Sequence, residues 1–114
     1  MKESPMPKTR KGRLSHFEQL ILAAITGIGE DAYSVRVQSQ AIQLLGDEVP
    51  FGAVCVTLHR LERKGYLESD TVDPKPERGG RATRVYALTA DGRKALESSI
   101  RISARIVAAV LTQP

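Results

Sequence analysis

Residues 51–72 read FGAVCVTLHRLERKGYLESDTV, and after DPKPERGGRA at 73–82 the chain continues TRVYALT to Thr89. Val54, Leu58 and Leu61 recur at i, i+4 and i+7, and Phe51 and Cys55 widen that stripe. The spacing predicts a helix over 51–64 with one core-facing side. Gly65 then supplies the left-handed residue that ends helices. Residues 66–72 alternate apolar and polar side chains as a half-buried strand does, and residues 84–89 read as its antiparallel return. The segment between them is longer than a tight hairpin needs and carries Arg78, Gly79, Gly80 and Arg81. A helix followed by a twisted hairpin with a basic, glycine-bearing tip is the form in which a winged helix-turn-helix offers one element to a DNA groove and another to the backbone beside it.

On the polar side of the predicted helix, Ala53, Val56, Thr57, Arg60 and Lys64 follow one another at three- and four-residue steps. Side chains so spaced project together. Small residues let the backbone approach base edges, Arg60 can reach a guanine, Val56 or Thr57 a thymine methyl, and Lys64 a phosphate. Arg78, Arg81 and Arg84 are placed for phosphate or minor-groove contact from the wing, with bracing of the wing strand as the alternative for Arg84. The plain counterpart of both features is a solvated amphipathic helix beside an ordinary polar loop.

Upstream, Ser15 and Glu18 form a capping-box pattern that predicts the start of a first helix, whose face is Phe17, Leu20, Ile21, Ala24, Ile25 and Ile28 until Gly27 and Gly29 weaken it. Ser34 is a cap for a second helix, where Val35, Val37, Ala41, Ile42, Leu44 and Leu45 are expected to pack and Gly46 to terminate. Ser34 and Arg36 are also placed to touch a phosphate. Residues 47–50 form the turn into the third helix, and Pro50 suits a helix start because it sacrifices no hydrogen bond there. After Thr89, a cap, residues 90–111 form a last helix about 33 Å long, more than the preceding domain can cover. Leu96, Ile100, Ser103, Val107 and Val110 follow heptad-like spacing along it, which predicts a dimerisation surface for a second copy of the chain. The alternative is a monomer with this helix folded over its own domain. The expected fold is therefore mainly α with a small two-stranded β-wing: a flexible basic arm at 1–13, a winged-helix DNA-binding domain at 14–89, and a C-terminal dimerisation helix at 90–114.

The block from Gly52 to Ser69 resembles the recognition-helix segment of PadR-like transcriptional regulators in their short form. Residues 79–93 are similar to that family's wing and the start of its last helix, and residues 20–25 and 32–35 to its first helix and the start of its second. The resemblance covers nearly everything from Leu14 onward, although Arg60-Leu61-Glu62-Arg63-Lys64-Gly65 and Tyr86-Ala87-Leu88-Thr89 also occur in other winged-helix regulators. Where the family carries a hydroxyl residue at the helix start and a Thr and a Tyr inside it, this chain has Pro50, Ala53 and Cys55. The resemblance implies a homodimer joined through the last helix. The family includes members that respond to aromatic compounds, so the resemblance leaves room for a small aromatic or hydrophobic effector without requiring one.

Composition points the same way. With 41% hydrophobic and 26% charged residues over 114, the chain can bury one modest core. Lys2, Lys8, Arg10, Lys11 and Arg13 against Glu3 give the first thirteen residues an excess equal to the whole chain's net charge of +4. That arm is suited to DNA phosphates or the minor groove, or is a solubilising tail or a cloning remnant. The longest apolar run, residues 20–25, is far short of the roughly 20 residues a membrane span needs, and no signal-peptide layout is present; a cytoplasmic location is expected. Cys55 beside the core stripe reads as a buried small hydrophobe rather than a redox sensor.

His16 and His59 lack the partners of a zinc site, and no phosphate-cradling loop, nucleophile elbow or carboxylate pair occurs. No metal, cofactor or catalytic residue is expected. The expectation is a DNA-binding transcriptional regulator, a repressor that occupies a pseudo-palindromic operator in double-stranded DNA as a homodimer. The alternative from another class is a winged-helix protein–protein interaction module whose third helix never meets DNA, favoured by the apolar Ala53 and Val56 on the exposed face.

Overall fold

The computed structural model describes residues 13–72 and 83–113. In chain order the elements are α1 (His16–Ile28), α2 (Ser34–Leu45), α3 (Phe51–Arg63), β1 (Leu67–Val72), β2 (Thr83–Leu88) and α4 (Ala90–Leu111). The basic arm up to residue 12, including Lys2, Lys8, Arg10 and Lys11, and the wing tip with Arg78 and Arg81 lie outside the described residues.

The capping box at the start of α1 is formed: the Ser15 hydroxyl accepts from the Glu18 amide at 3.1 Å, and Glu18 Oε1 accepts from the Ser15 amide at 2.9 Å. Gly29, at φ 79°, caps its far end. At the end of α3, Lys64 is the last near-helical residue and Gly65 takes φ 85°. Tyr66 N–H then donates to the Leu61 carbonyl and Gly65 N–H to the Glu62 carbonyl, the paired bonds by which a left-handed residue satisfies the last carbonyls of a helix. That turn aims the chain directly into β1.

The strands pair antiparallel with Leu67 opposite Leu88 and Val72 opposite Thr83. On the other edge of β2, Tyr33 bridges Val85, and Tyr86 N–H donates to the Ala32 carbonyl at 3.0 Å. The link between α1 and α2 therefore acts as a short third strand. This also corrects the expected cap of α2: Tyr33, held in extended conformation by its pairing with β2, occupies the cap position with no side-chain capping bond to the helix, and Ser34 is the first helical residue.

One core joins Ile21, Leu22 and Ile25 of α1, Val37 and Ala41 of α2, Val54, Leu58 and Leu61 of α3, Tyr66, Leu67, and Ala95 and Leu96 of α4. Phe17, Leu20, Ile28, Tyr86 and Leu88 pack partly against it. The broad apolar face expected of α2 is not buried. Only Val37 and Ala41 are inside, while Val35, Ile42, Leu44 and Leu45 are exposed. Val35 and Ile42 project from the opposite side of the helix by its 3.6-residue period. Leu44 and Leu45 share the inward sector but sit in the last turn, where they edge an open groove of about 380 Å³ with Leu20, Ala23 and Ser103.

The last helix divides along its length. Gly92, Ala95, Leu96 and Ser99 are buried against the domain, and Ser99 Oγ donates to Gln19 Oε1 of α1 at 2.5 Å. The first half of α4 is thus continuous with the core of the domain that precedes it. Ile100, Ile102, Ile106, Val107, Val110 and Leu111 are exposed.

Candidate nucleic-acid interface

The outward side of α3 carries a shallow concavity of about 450 Å³ lined by Val56, His59, Arg60, Arg63 and Lys64. Val56, His59, Arg60 and Arg63 are all exposed. They are brought together because 56, 59, 60 and 63 are separated by three and four residues and lie opposite Val54, Leu58 and Leu61, which anchor the helix in the core. Neither the His59 nor the Arg63 side chain makes a hydrogen bond or ion pair among the described residues. The surface is therefore a cationic, donor-rich stripe with one apolar contact at Val56, the chemistry that base edges and phosphates accept.

Not every residue expected on this face belongs to it. Thr57 is 3% exposed. It stands three residues after Val54 and four before Leu61, so it continues the core stripe rather than the outward one, and its hydroxyl is withdrawn from any groove. Ala53 is half-buried at the edge of the face. His59 and Arg63, in contrast, were not singled out from the sequence. The signal that finds them is the direction opposite the Val54–Leu61 stripe, whereas steps begun at Ala53 centre on the side of the helix between that direction and the core.

Lys64 touches the same concavity but is committed inward. Its Nζ donates to Glu18 Oε2 of α1 at 2.7 Å, the one ion pair among the described residues. The bond joins the C-cap of α3 to the first turn of α1, while the Lys64 side chain stays partly exposed beside the concavity. Burial works to raise the Glu18 pKa, but the bonds from Lys64 and the Ser15 amide, with the charges of Lys64 and Arg60, outweigh it and hold the carboxyl below its ordinary value.

Arg84 also points to structure. Its Nη1 donates to Ser69 Oγ at 2.9 Å, and Ser69 Oγ donates to Glu62 Oε2 of α3 at 2.7 Å. Tyr86, half-buried beside this group, has its phenol pushed up by burial and by the Glu62 carboxylate, with Arg84 pulling the other way. Ser34 is half-buried and Arg36 exposed at the start of α2, where Arg36 Nη1 reaches only the Glu30 carbonyl at 3.4 Å. Of the expected dimerisation residues, Leu96 is in the domain's own core, Ser103 lines the groove beside α1, and Ile100, Val107 and Val110 remain exposed.

Among the described residues no three of His, Cys, Asp and Glu gather as a metal site requires, and no helix is long and apolar enough to cross a membrane.

Three helices, a two-stranded wing stitched to the α1–α2 link, and an outward basic α3 define a winged helix-turn-helix protein. Residues 21–98 match the transcriptional regulator PadR-like family, and the chain belongs to that family. No curated protein matches it. The fold is similar to RosR of H. salinarum, with 26% identity, a TM-score of 0.60, and 79% of this chain and 74% of that one covered. It is similar to a PadR family transcriptional regulator from Eggerthella lenta, at 19% identity and TM-score 0.62 over 84% of each chain. The Orc1 protein of Aeropyrum pernix, solved in complex with DNA, shares the fold at 22% identity and TM-score 0.64 over 83% of this chain and 26% of that one.

Proposed function

We propose that this PadR-like regulator is a cytoplasmic, homodimeric transcriptional repressor that binds a pseudo-palindromic operator and blocks promoter access. The observation that carries the reading is the outward face of α3, where His59, Arg60 and Arg63 present donors beside the exposed Val56. In this reading α3 lies in the major groove, with Arg60 and Val56 on base edges and His59 and Arg63 on bases or phosphates. Arg78 and Arg81 of the wing tip, and Ser34 and Arg36 at the start of α2, contact the backbone. Ile100, Val107 and Val110, with Ser103, meet a second copy, and any small apolar effector would enter where α4 and α1 of the two copies come together.

Selection of the purified chain on a randomised double-stranded DNA pool at about 150 mM salt tests this, since salt suppresses non-specific phosphate attraction. A two-fold symmetric motif is expected. No enrichment by the folded protein would overturn it. The exposed apolar residues of α2 favour the protein-interaction module as the second reading. DNA affinity that falls steeply with salt at constant dimer mass supports the repressor, and a salt-insensitive complex with a different chain supports the module.

A further inference from the structure

One hydroxyl joins three elements of this fold. Ser69 lies on β1, Glu62 on α3 and Arg84 on β2, and each is within hydrogen-bond distance of the next, at 2.7 Å and 2.9 Å. Serine has a single O–H to donate, and here it goes to the carboxylate, which leaves the oxygen lone pairs free for the guanidinium. Both bonds have a charged partner, so each is of the stronger kind. The strand register pairs Ser69 with Tyr86 and Thr71 with Arg84, so the Arg84 bond crosses the ladder diagonally while the Glu62 bond leaves the sheet for the helix. The result is a brace between the outward helix and both strands of the wing.

Where the brace sits determines what it controls. Helix α3 and β1 are joined at their near ends by the Gly65 turn, and the hairpin projects from there. From Leu67 to Val72 is about 17 Å of strand, so a tilt of about 10° at the turn carries Val72 by about 3 Å. A protein that contacts one half-site with both helix and wing tolerates much less, because binding groups must be held to within about 0.5 Å of their productive positions. The Gly65 turn, buried Leu67 and the pairing of Tyr33 with Val85 hold the base of the hairpin to the domain. Ser69 adds a side-chain link that ties both strands directly to α3, the helix whose angle to the wing matters for recognition.

We propose that Ser69 is a positioning residue for operator recognition: by bridging Glu62 of α3 to Arg84 of β2 it fixes the angle between helix and wing, and through that angle the spacing of the two contacts that a half-site must offer. The proposal rests on the DNA-binding reading above. Arg84 then serves recognition through Ser69 rather than by touching DNA itself.

The test compares Ser69→Ala, Ser69→Thr and Arg84→Met with the unsubstituted full chain, by fluorescence anisotropy on the selected operator and on a random duplex, with amide hydrogen exchange of residues 67–72 and 83–88 in the free proteins. For Ser69→Ala the ratio of operator to random affinity is expected to fall about tenfold, the scale of a charge-assisted hydrogen bond, with random-DNA affinity unchanged and strand exchange accelerated. Ser69→Thr, which keeps the hydroxyl, retains the ratio. Arg84→Met also lowers the ratio while leaving random-DNA affinity unchanged. An unaltered ratio in Ser69→Ala, a loss in Ser69→Thr as large as in Ser69→Ala, or an equal loss on both duplexes for Arg84→Met would each overturn the proposal while leaving the DNA reading intact. Failure of the unsubstituted chain to enrich any operator overturns the DNA reading first and the proposal with it.

Discussion

Glu18 is 3% exposed and ionised, a state that is costly unless both carboxylate oxygens are used. They are: one accepts from the Ser15 amide and the other from Lys64. Removing Lys64 leaves one oxygen of the buried carboxylate without its partner, with only the Ser15 amide and the charge of Arg60 still favouring ionisation. Lys64→Met is expected to lower unfolding free energy at pH 7 by about 2 kcal/mol, below the usual cost of breaking a buried pair because the Lys64 side chain is 26% exposed. The pH dependence follows from the depressed pKa of Glu18. The pair's contribution is fully present above the ordinary carboxyl value of 4.5 and is lost as pH falls through the lower folded value, so the two proteins converge in stability on acidification. Urea titrations from pH 7 to pH 3 check this, and a gap that widens toward low pH would contradict it. Arg60, exposed on the outward face, is the residue that the proposed DNA-binding reading sets on a base edge. Arg60→Ala is expected to cost about 1–3 kcal/mol on the selected operator and little on random DNA, measured by anisotropy; equal losses on both would remove it from base contact.

At the scale of elements, the attachment of α4 depends on a close approach. Thr89 N–H donates to the Tyr66 carbonyl at 3.1 Å, Thr89 Oγ1 donates to the Gly65 carbonyl at 2.6 Å, and Thr89 Oγ1 accepts from the Gly92 amide. Gly92 consequently lies against the β1 entrance, and a Cβ built there would stand 2.0 Å from the Tyr66 oxygen. That oxygen is main chain and cannot rotate away. Gly92→Ala is expected to destabilise by about 1–3 kcal/mol in chemical denaturation, as overpacking does. Gly52→Ala, where the new Cβ meets nothing within 4 Å, is the control and should stabilise by about 0.5–1 kcal/mol. Similar losses for both would mean that the contact with Tyr66 is not the cause. The helix ends themselves were readable in the chain: Ser15 and Glu18, Gly29, Gly46, Gly65 and Thr89 each mark a boundary through bonds or dihedrals contained within a few residues. The α2 cap at Tyr33 was not, because its conformation comes from pairing with β2 about fifty residues later.

For the whole molecule, the unburied second half of α4 is the feature that a single copy leaves unexplained. Ile100 is 49% exposed and Val107 53%. Neither contributes to the domain core, so Ile100→Lys with Val107→Lys is expected to leave the fold intact while converting a two-chain particle to a one-chain one in sedimentation equilibrium. A dimer that persists would move the interface elsewhere, for instance to the groove beside Leu44 and Leu45. The sequence by itself determined the helix order, the Val54, Leu58 and Leu61 stripe of α3, though not its extension to Phe51, which is exposed, the hairpin and the span of α4, because periodicity, capping side chains and left-handed glycines are short-range properties of the chain. Only the tertiary structure decided that Thr57 is inside, that His59 and Arg63 share the outward face with Arg60, that Leu96 belongs to the domain, and that Lys64 answers Glu18, 46 residues earlier. Those outcomes depend on which surfaces other elements cover and which charges they bring within reach, and neither is set by neighbours along the chain.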